Sequence, residues 1–452
     1  MDAPDRSRPT TEVHRRTFLK TAGAAGLGAA AGIEGILAAR RAPAFAQTTK
    51  VHLLQWVDFI PEGDVELRRQ AAEYSKQAKV EVTVETINAN DLQARITAAI
   101  QSGTGADIIM MLHNWPHLYA GGLADVSDLC EWKATDQGGY YPHSEAAAKL
   151  GKRWLALPYQ TGAPLIAYRK SWFAEVGASQ PPKTLEEYRK IGIALKKKGK
   201  PIGQTLGHTF GDAPAWSYPL VWGFGGAETD TSGKKVVLNS KATMDSVNWM
   251  VDFWKQACDE SALAWDDTNN NRAFHAGEIS ATLNGASIYI FAKRNPEKIK
   301  DDKGEPMFRD IGHFGIPDGP LGRTPPYAVA FSHALMKYSK NQQAAKEFLK
   351  WLHGKEQFGK WFEIETGYSL GATTFWENHP MWERTDEALR AFRNSPRGTR
   401  MLGHAGPPTS KATEAYTKYI ITDMYAKAVQ APGSSADAVK WAEGELKKIY
   451  ES

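Results

Sequence analysis

The run Asp107–Leu112 constrains the fold of this chain more than any other stretch. From Ile108 to Leu112 every residue is apolar, without the alternation of a strand that has one wet face. Such a strand is buried on both sides, which requires a sheet covered by helices on each face. The residues before it supply the rest of the unit. Val51–Trp56 is a short apolar strand, and Asp64 is placed to cap a helix that lines up Leu67, Ala71, Tyr74 and Ala78. Val80, Val82 and Val84 alternate with polar residues, and Ile87 extends that half-buried strand. Asp91–Gln101 spaces Leu92, Ile96 and Ile100 as an amphipathic helix, stopped by Gly103. Strand, helix, strand, helix, strand in this order predicts an α/β fold with parallel strands and right-handed crossovers.

One such sheet does not use up 452 residues, and a chain of this length exceeds what a single core holds. Two apolar runs, Trp154–Tyr159 and Pro164–Tyr168, flank Gln160-Thr161-Gly162, where the chain is expected to leave a first lobe for a second. Thr184-Leu185-Glu186-Glu187 is a capping box opening a helix that ends in Lys196–Lys198, cations suited to a helix C-terminus. Met244, Val247, Val251, Trp254 and Cys258 recur at helical spacing and put Trp254 in the core. Ile279–Leu283, Ile311–Ile316 and Ala328–Met336 read as further strands. A helix with Ala345, Phe348, Leu349 and Leu352 inward follows, and the tail from Thr385 is mainly helical. The expected layout is two-lobed, each lobe an open, mostly parallel sheet flanked by helices. Residues 47–161 and 331–375 would build the N-terminal lobe, and 162–330 and 376–452 the C-terminal one.

Residues 1–46 read as a removable signal peptide. A polar start leads to Arg15-Arg16-Thr17-Phe18-Leu19-Lys20, then to a weakly apolar stretch and Ala44-Phe45-Ala46, an A-x-A-like cleavage site. The paired arginines resemble the twin-arginine export signal, with His14 in place of the usual Ser or Thr. Glu34 and five glycines between Thr21 and Ala39 make this a poor membrane anchor. With no cysteine near the cleavage site for a lipid, a soluble periplasmic protein that folds before export is expected. Seven of the 55 Lys/Arg and four of the 51 Asp/Glu leave with the signal, so the remainder carries a formal charge of +1. That balance gives no warrant for a nucleic-acid partner.

Cys130 and Cys258 are the only cysteines, each beside apolar residues, and folding in a reducing cytoplasm favours two buried thiols. No cysteine cluster, dinucleotide fingerprint, phosphate loop or nucleophile elbow is present, so no cofactor is expected. His113 and His117 are four apart, but Pro116 lies between them and no acidic ligand accompanies them, which argues against a metal. Fifteen tryptophans are many for a polar chain, and large flat rings suit a ligand as well as a core.

Several stretches, in order, resemble the extracellular solute-binding proteins of carbohydrate-uptake ABC transporters, the maltose-binding-protein-like family. They are Ala106–Met111 with Leu123–Leu129, then Trp154–Pro158, Tyr168–Lys170, Phe173–Gly177 and Pro182–Tyr188. Trp222–Gly226, Phe274–Gly285, Ser339–Leu352 and Thr366–Tyr368 follow. The resemblance implies a hinged two-lobed binding protein rather than an enzyme, acting as a monomer with the permease subunits of an importer. Two departures stand out: Ala286 and Ser287 follow Asn284-Gly285 where the family often has an aromatic residue, and Pro325-Pro326-Tyr327 replaces a Gly-rich entry to the returning crossing.

In open α/β sheets the ligand sits beyond the carboxyl ends of the strands. That rule selects Trp56 and Asp58 after the first strand, and His113, Asn114 and Trp115 after the third. It also selects Tyr159, Gln160 and Thr161 at the crossing, and Asn284 after a second-lobe strand. Trp216, Trp222, Tyr327 and Tyr368 are added from loops that resemble the family's ligand-facing ones. Rings beside amides, carboxylates and hydroxyls suit a sugar, which stacks its C–H face and needs paired donors and acceptors. Glycerol phosphate, another polyol ester or a polyamine would fit the same role. A carbohydrate hydrolase would need two carboxylates facing across a cleft, and Asp58, Asp107 and Glu278 are scattered singly.

Overall fold

A computed structural model describes residues 49–431 and 433–452; Arg15, Arg16 and the expected cleavage site lie outside them. The strands, in chain order, are β1 (Thr49–Trp56), β2 (Val80–Ile87), β3 (Ile108–Leu112), β4 (Lys149–Leu150), β5 (Arg153–Trp154), β6 (Leu157–Gly162), β7 (Leu165–Arg169), β8 (Ala281–Asn284), β9 (Ile311–Phe314), β10 (Val329–Leu335) and β11 (Leu370–Gly371). A six-stranded sheet has the order β11-β6-β10-β3-β1-β2, and a three-stranded sheet the order β8-β7-β9.

All five residues of β3 are buried, and the strand is central to the larger sheet, parallel to β1. Asp107 clamps its start: one carboxylate oxygen accepts from His52 N at 2.9 Å and the other from Ser339 Oγ at 2.6 Å. The sheet is mixed, because β10 runs antiparallel to both β3 and β6. In the smaller sheet β7 is antiparallel to both β8 and β9, so the expected mostly parallel pairing does not hold there. The reason is topological. β7 and β10 bring the chain in from the other sheet, and each enters its new sheet against the direction of the neighbours it joins.

Local signals explain most helix boundaries. Thr184 caps Leu185–Lys197, its hydroxyl accepting from Glu187 N at 3.2 Å, while the Glu187 carboxylate accepts from Lys183 N at 2.7 Å. Gly103 ends Ala89–Ser102 in the left-handed conformation, and Trp254 is core as its spacing predicts. Asp64, expected as a cap, lies inside Pro61–Ala78 instead. Pro61 starts that helix because its ring presets φ and its missing N–H leaves no orphan donor. The Asp64 carboxylate accepts from Asp58 N at 3.2 Å.

Between the sheets the chain passes three times. The first passage is Ala163–Pro164, between β6 and β7, and the second joins β9 to β10. On the third, Trp376 and Trp382 still pack on Phe362, whereas Asp386 already accepts from Tyr289 Oη at 2.7 Å. Beneath the larger sheet a buried polar chain runs from Lys133 to His353, with Nζ to Nδ1 at 3.0 Å, and on from His353 Nε2 to His333 Nδ1 at 2.9 Å. Lys133 also donates to Pro158 O at 2.8 Å, and burial pushes its ammonium down to about 7.

Candidate functional site

The strand ends converge on one cleft. Trp56 closes β1, Leu112 closes β3, Gln160 to Gly162 close β6 and Asn284 closes β8, while β7 and β10 begin there because they run in reverse. The result is a cleft between the two sheets. Its first-sheet wall carries Trp56, Phe59, Phe331 and Tyr368, with Gln160 among them; the second-sheet wall carries Phe210, Asp212, Asp267, Asn284 and Ser287. The Trp56 ring meets Phe59 edge-on at 5.6 Å and Phe331 at 5.0 Å.

Hydrogen bonds hold the polar groups in place. Asp212 Oδ2 accepts from Asn270 Nδ2 at 2.7 Å and from Asn284 Nδ2 at 3.3 Å, and Asn284 Oδ1 accepts from Ser287 Oγ at 3.0 Å. Asp267 Oδ1 accepts from Asp212 N at 2.8 Å, tying down the start of the helix Asp212–Phe224. Gly211 is required beside it, since a Cβ there would lie 2.7 Å from Asp267 Oδ2. Burial, with Asp267 adjacent, drives Asp212 well above the usual carboxylate range, and burial raises Asp267 as well. Gln160 Oε1 is buried without a partner. Thr161 is fully committed, bonded to His143 Nε2 at 2.6 Å and donating to Val329 O at 3.0 Å.

Past Phe59 and Asp267 a second cavity opens, lined also by Asp58, Asn88, Asn90, Thr209, Asp266 and Thr268. Asp58 therefore reaches this neighbouring space. Its Oδ1 accepts from Ile60 N at 2.9 Å, and burial, with Asp64 close by, raises it to about 7.

Of the residues chosen from sequence, Trp56, Gln160, Thr161, Asn284 and Tyr368 line the main cleft. The others stand elsewhere. Trp115 is fully buried one ring behind the wall, edge-on to Phe210 at 5.1 Å, and Asn114 donates to Thr409 O at 3.3 Å. His113, at φ 49°, is buried with Nε2 2.8 Å from Phe210 O and Nδ1 2.9 Å from Tyr327 Oη. A carbonyl can only accept, so Nε2 carries the proton and Nδ1 accepts from Tyr327; burial pushes this ring down to about 4 and keeps it neutral. Tyr159 faces the opposite side of its sheet, stacked on His333 at 4.3 Å, at the point where the β6–β10 register shifts. Trp216 packs on Phe253 and Trp222 on Tyr327, in the interior of the second lobe. Phe59, Phe210, Asp212, Asp267, Ser287 and Phe331 belong to the wall and were missed. Gly211-Asp212 before an apolar helix was a readable start signal, but nothing local aims it at a cleft.

Residues 69–390 match the family described as "Bacterial extracellular solute-binding protein", and residues 12–32 match the twin-arginine translocation signal sequence, so the protein is exported. Among the described residues no helix is long and apolar enough to cross a membrane. A "Probable ABC transporter-binding protein" of Deinococcus radiodurans is 22% identical, over 90% of this chain and 96% of its own length. The "Diacetylchitobiose binding protein DasA" of Streptomyces coelicolor is 28% identical over 62% of this chain and 64% of its own. The maltose-bound MalE3 of T. maritima superposes with a TM-score of 0.74 at 19% identity, over 89% of this chain and all of that one. The two-sheet cleft, the export signal and a family match over most of its length place this chain among the bacterial extracellular solute-binding proteins.

Proposed function

We propose that this protein captures a carbohydrate in the inter-sheet cleft and delivers it, unchanged, to the permease subunits of an ABC importer. The observation that carries this reading is the pairing of the two walls. Aromatic faces from Trp56, Phe59, Phe331 and Tyr368 stand opposite the polar group Asp212, Asn284 and Ser287. A sugar needs both, a flat apolar surface for its C–H face and fixed polar partners for its hydroxyls. The relatives' ligands, diacetylchitobiose and maltose, are of the same class. Both acidic residues of the lining, Asp212 and Asp267, sit on one wall, which does not suit hydrolysis by opposed carboxylates. Neither cavity is lined by Arg, Lys or His, which disfavours a phosphorylated polyol. The lobes would close about the three passages, as a monomer, and the closed form is what a permease reads.

A thermal-shift screen against neutral mono- and disaccharides tests this. A ligand at 100 times its Kd should stabilise the protein by about 2.7 kcal/mol, and chromatography should recover it intact. No shift with any sugar, or conversion of the sugar in proportion to added protein, would sink the reading.

A further inference from the structure

We propose that the solute carries a protonated amine and that Asp212 is the residue that selects it. The inference rests on the cleft being the solute site, as proposed above, and adds the charge of the occupant. Four observations lead to it.

The first is charge balance. The main cleft and the cavity beyond Phe59 are lined between them by Asp58, Asp212, Asp266 and Asp267, with no basic side chain in either lining. Burial beside Asp267 holds Asp212 towards its neutral form, and a cation bound against it is what would stabilise its charge. The second is the way Asp212 is held. Two amides, Asn270 and Asn284, fix its Oδ2, while Oδ1 has no hydrogen-bond partner among the described residues. One oxygen is thus oriented and the other left for the cleft. The third comes from the opposite wall, where the buried Gln160 Oε1 is a second acceptor without a donor. An ammonium has three donors and no acceptor, so it can serve carboxylate and amide oxygen together. The fourth is the set of rings: Trp56, Phe59, Phe210, Phe331 and Tyr368 surround the same space, and aromatic faces attract cations as well as sugars.

The shared chemistry is an ammonium on a skeleton with apolar faces, and an amino sugar or a polyamine could supply it. Calorimetry at pH 6.5 with four probes separates the cases: chitobiose, whose amines are free; N,N′-diacetylchitobiose, which has the same rings without the charge; cellobiose; and spermidine. Chitobiose should bind at least ten-fold tighter than both neutral disaccharides, and D212N should reduce that preference to less than three-fold. Unfolding curves of the variant establish that it is folded, and the wild-type preference stands as a test that needs no variant. Equal binding of chitobiose and the neutral disaccharides overturns the amine inference and leaves a neutral-sugar site. A preference that survives D212N overturns the role of Asp212. Spermidine binding without chitobiose keeps the amine and overturns the carbohydrate reading. Binding of none of the four overturns both.

Discussion

Trp56 stands at the end of β1 and Trp115 three residues past the end of β3, yet the fold gives them different work. Trp56 is the last residue of β1 and lines the cleft, whereas Trp115 is fully enclosed behind Phe210. Trp56→Ala should therefore act on binding, removing about 1.5–3 kcal/mol of apolar contact, which is roughly a ten- to hundred-fold weaker Kd. Trp115→Ala should act on the fold, costing about 3–5 kcal/mol of stability in urea titrations. Measuring affinity and unfolding on both variants separates the two roles, and the reverse pattern would return Trp115 to the ligand. His113 belongs with Trp115: its strained backbone and its bonds to Phe210 and Tyr327 join the end of β3 to the opposite lobe.

At the scale of elements, the turn between β1 and the helix Pro61–Ala78 is the least comfortable junction near the site. Asp58 and Asp64 share it, the former's N–H bonded to the latter's carboxylate, with both carboxyls raised by burial. A carboxyl whose folded value lies above its unfolded one favours the fold only while protonated. For Asp58 that contribution is whole below about pH 4 and is lost as pH climbs to about 7. Asp58→Asn keeps the oxygen that accepts from Ile60 N and removes the charge. The variant should be more stable than wild type at pH 8, by up to about 4 kcal/mol for a shift of some three pH units, with the gap closing towards pH 4. Parallel stability curves across that range would show that burial of Asp58 costs nothing.

At the scale of the whole molecule, the two walls touch where Gly285, after β8, meets the ring of Tyr368, before β11. A Cβ at Gly285 would lie 2.9 Å from Tyr368 Cε2, closer than side chains pack. Gly285→Ala should hold the lobes slightly apart, an overpacking cost of about 1–3 kcal/mol that weakens sugar affinity by roughly five- to hundred-fold. X-ray scattering at saturating sugar should give a larger radius of gyration for the variant than for wild type. Identical curves and affinities would show that this contact does not limit closure.

Short-range pattern encodes a definite part of the molecule. The unbroken apolar run of β3, the capping box at Thr184, the stop at Gly103 and the helical spacing around Trp254 each follow from a few neighbouring side chains. The strand-end rule located four residues of the cleft from those patterns alone, Trp56, Gln160, Thr161 and Asn284, and the family resemblance added Tyr368. Which side of a strand end faces the ligand follows instead from how the two sheets come together. Tyr159 and Gln160 are adjacent and both buried; the pleat turns one to His333 and the other to the cleft, and which face is which depends on where the second sheet lies. Asp212 and Asp267 meet from segments 55 residues apart. Their proximity, and the protonation it favours on Asp212, depends on how β7 and β8 pair and where the helix Asp212–Phe224 comes to rest. No local period encodes that, because the energy of a buried carboxylate is set by every group that surrounds it.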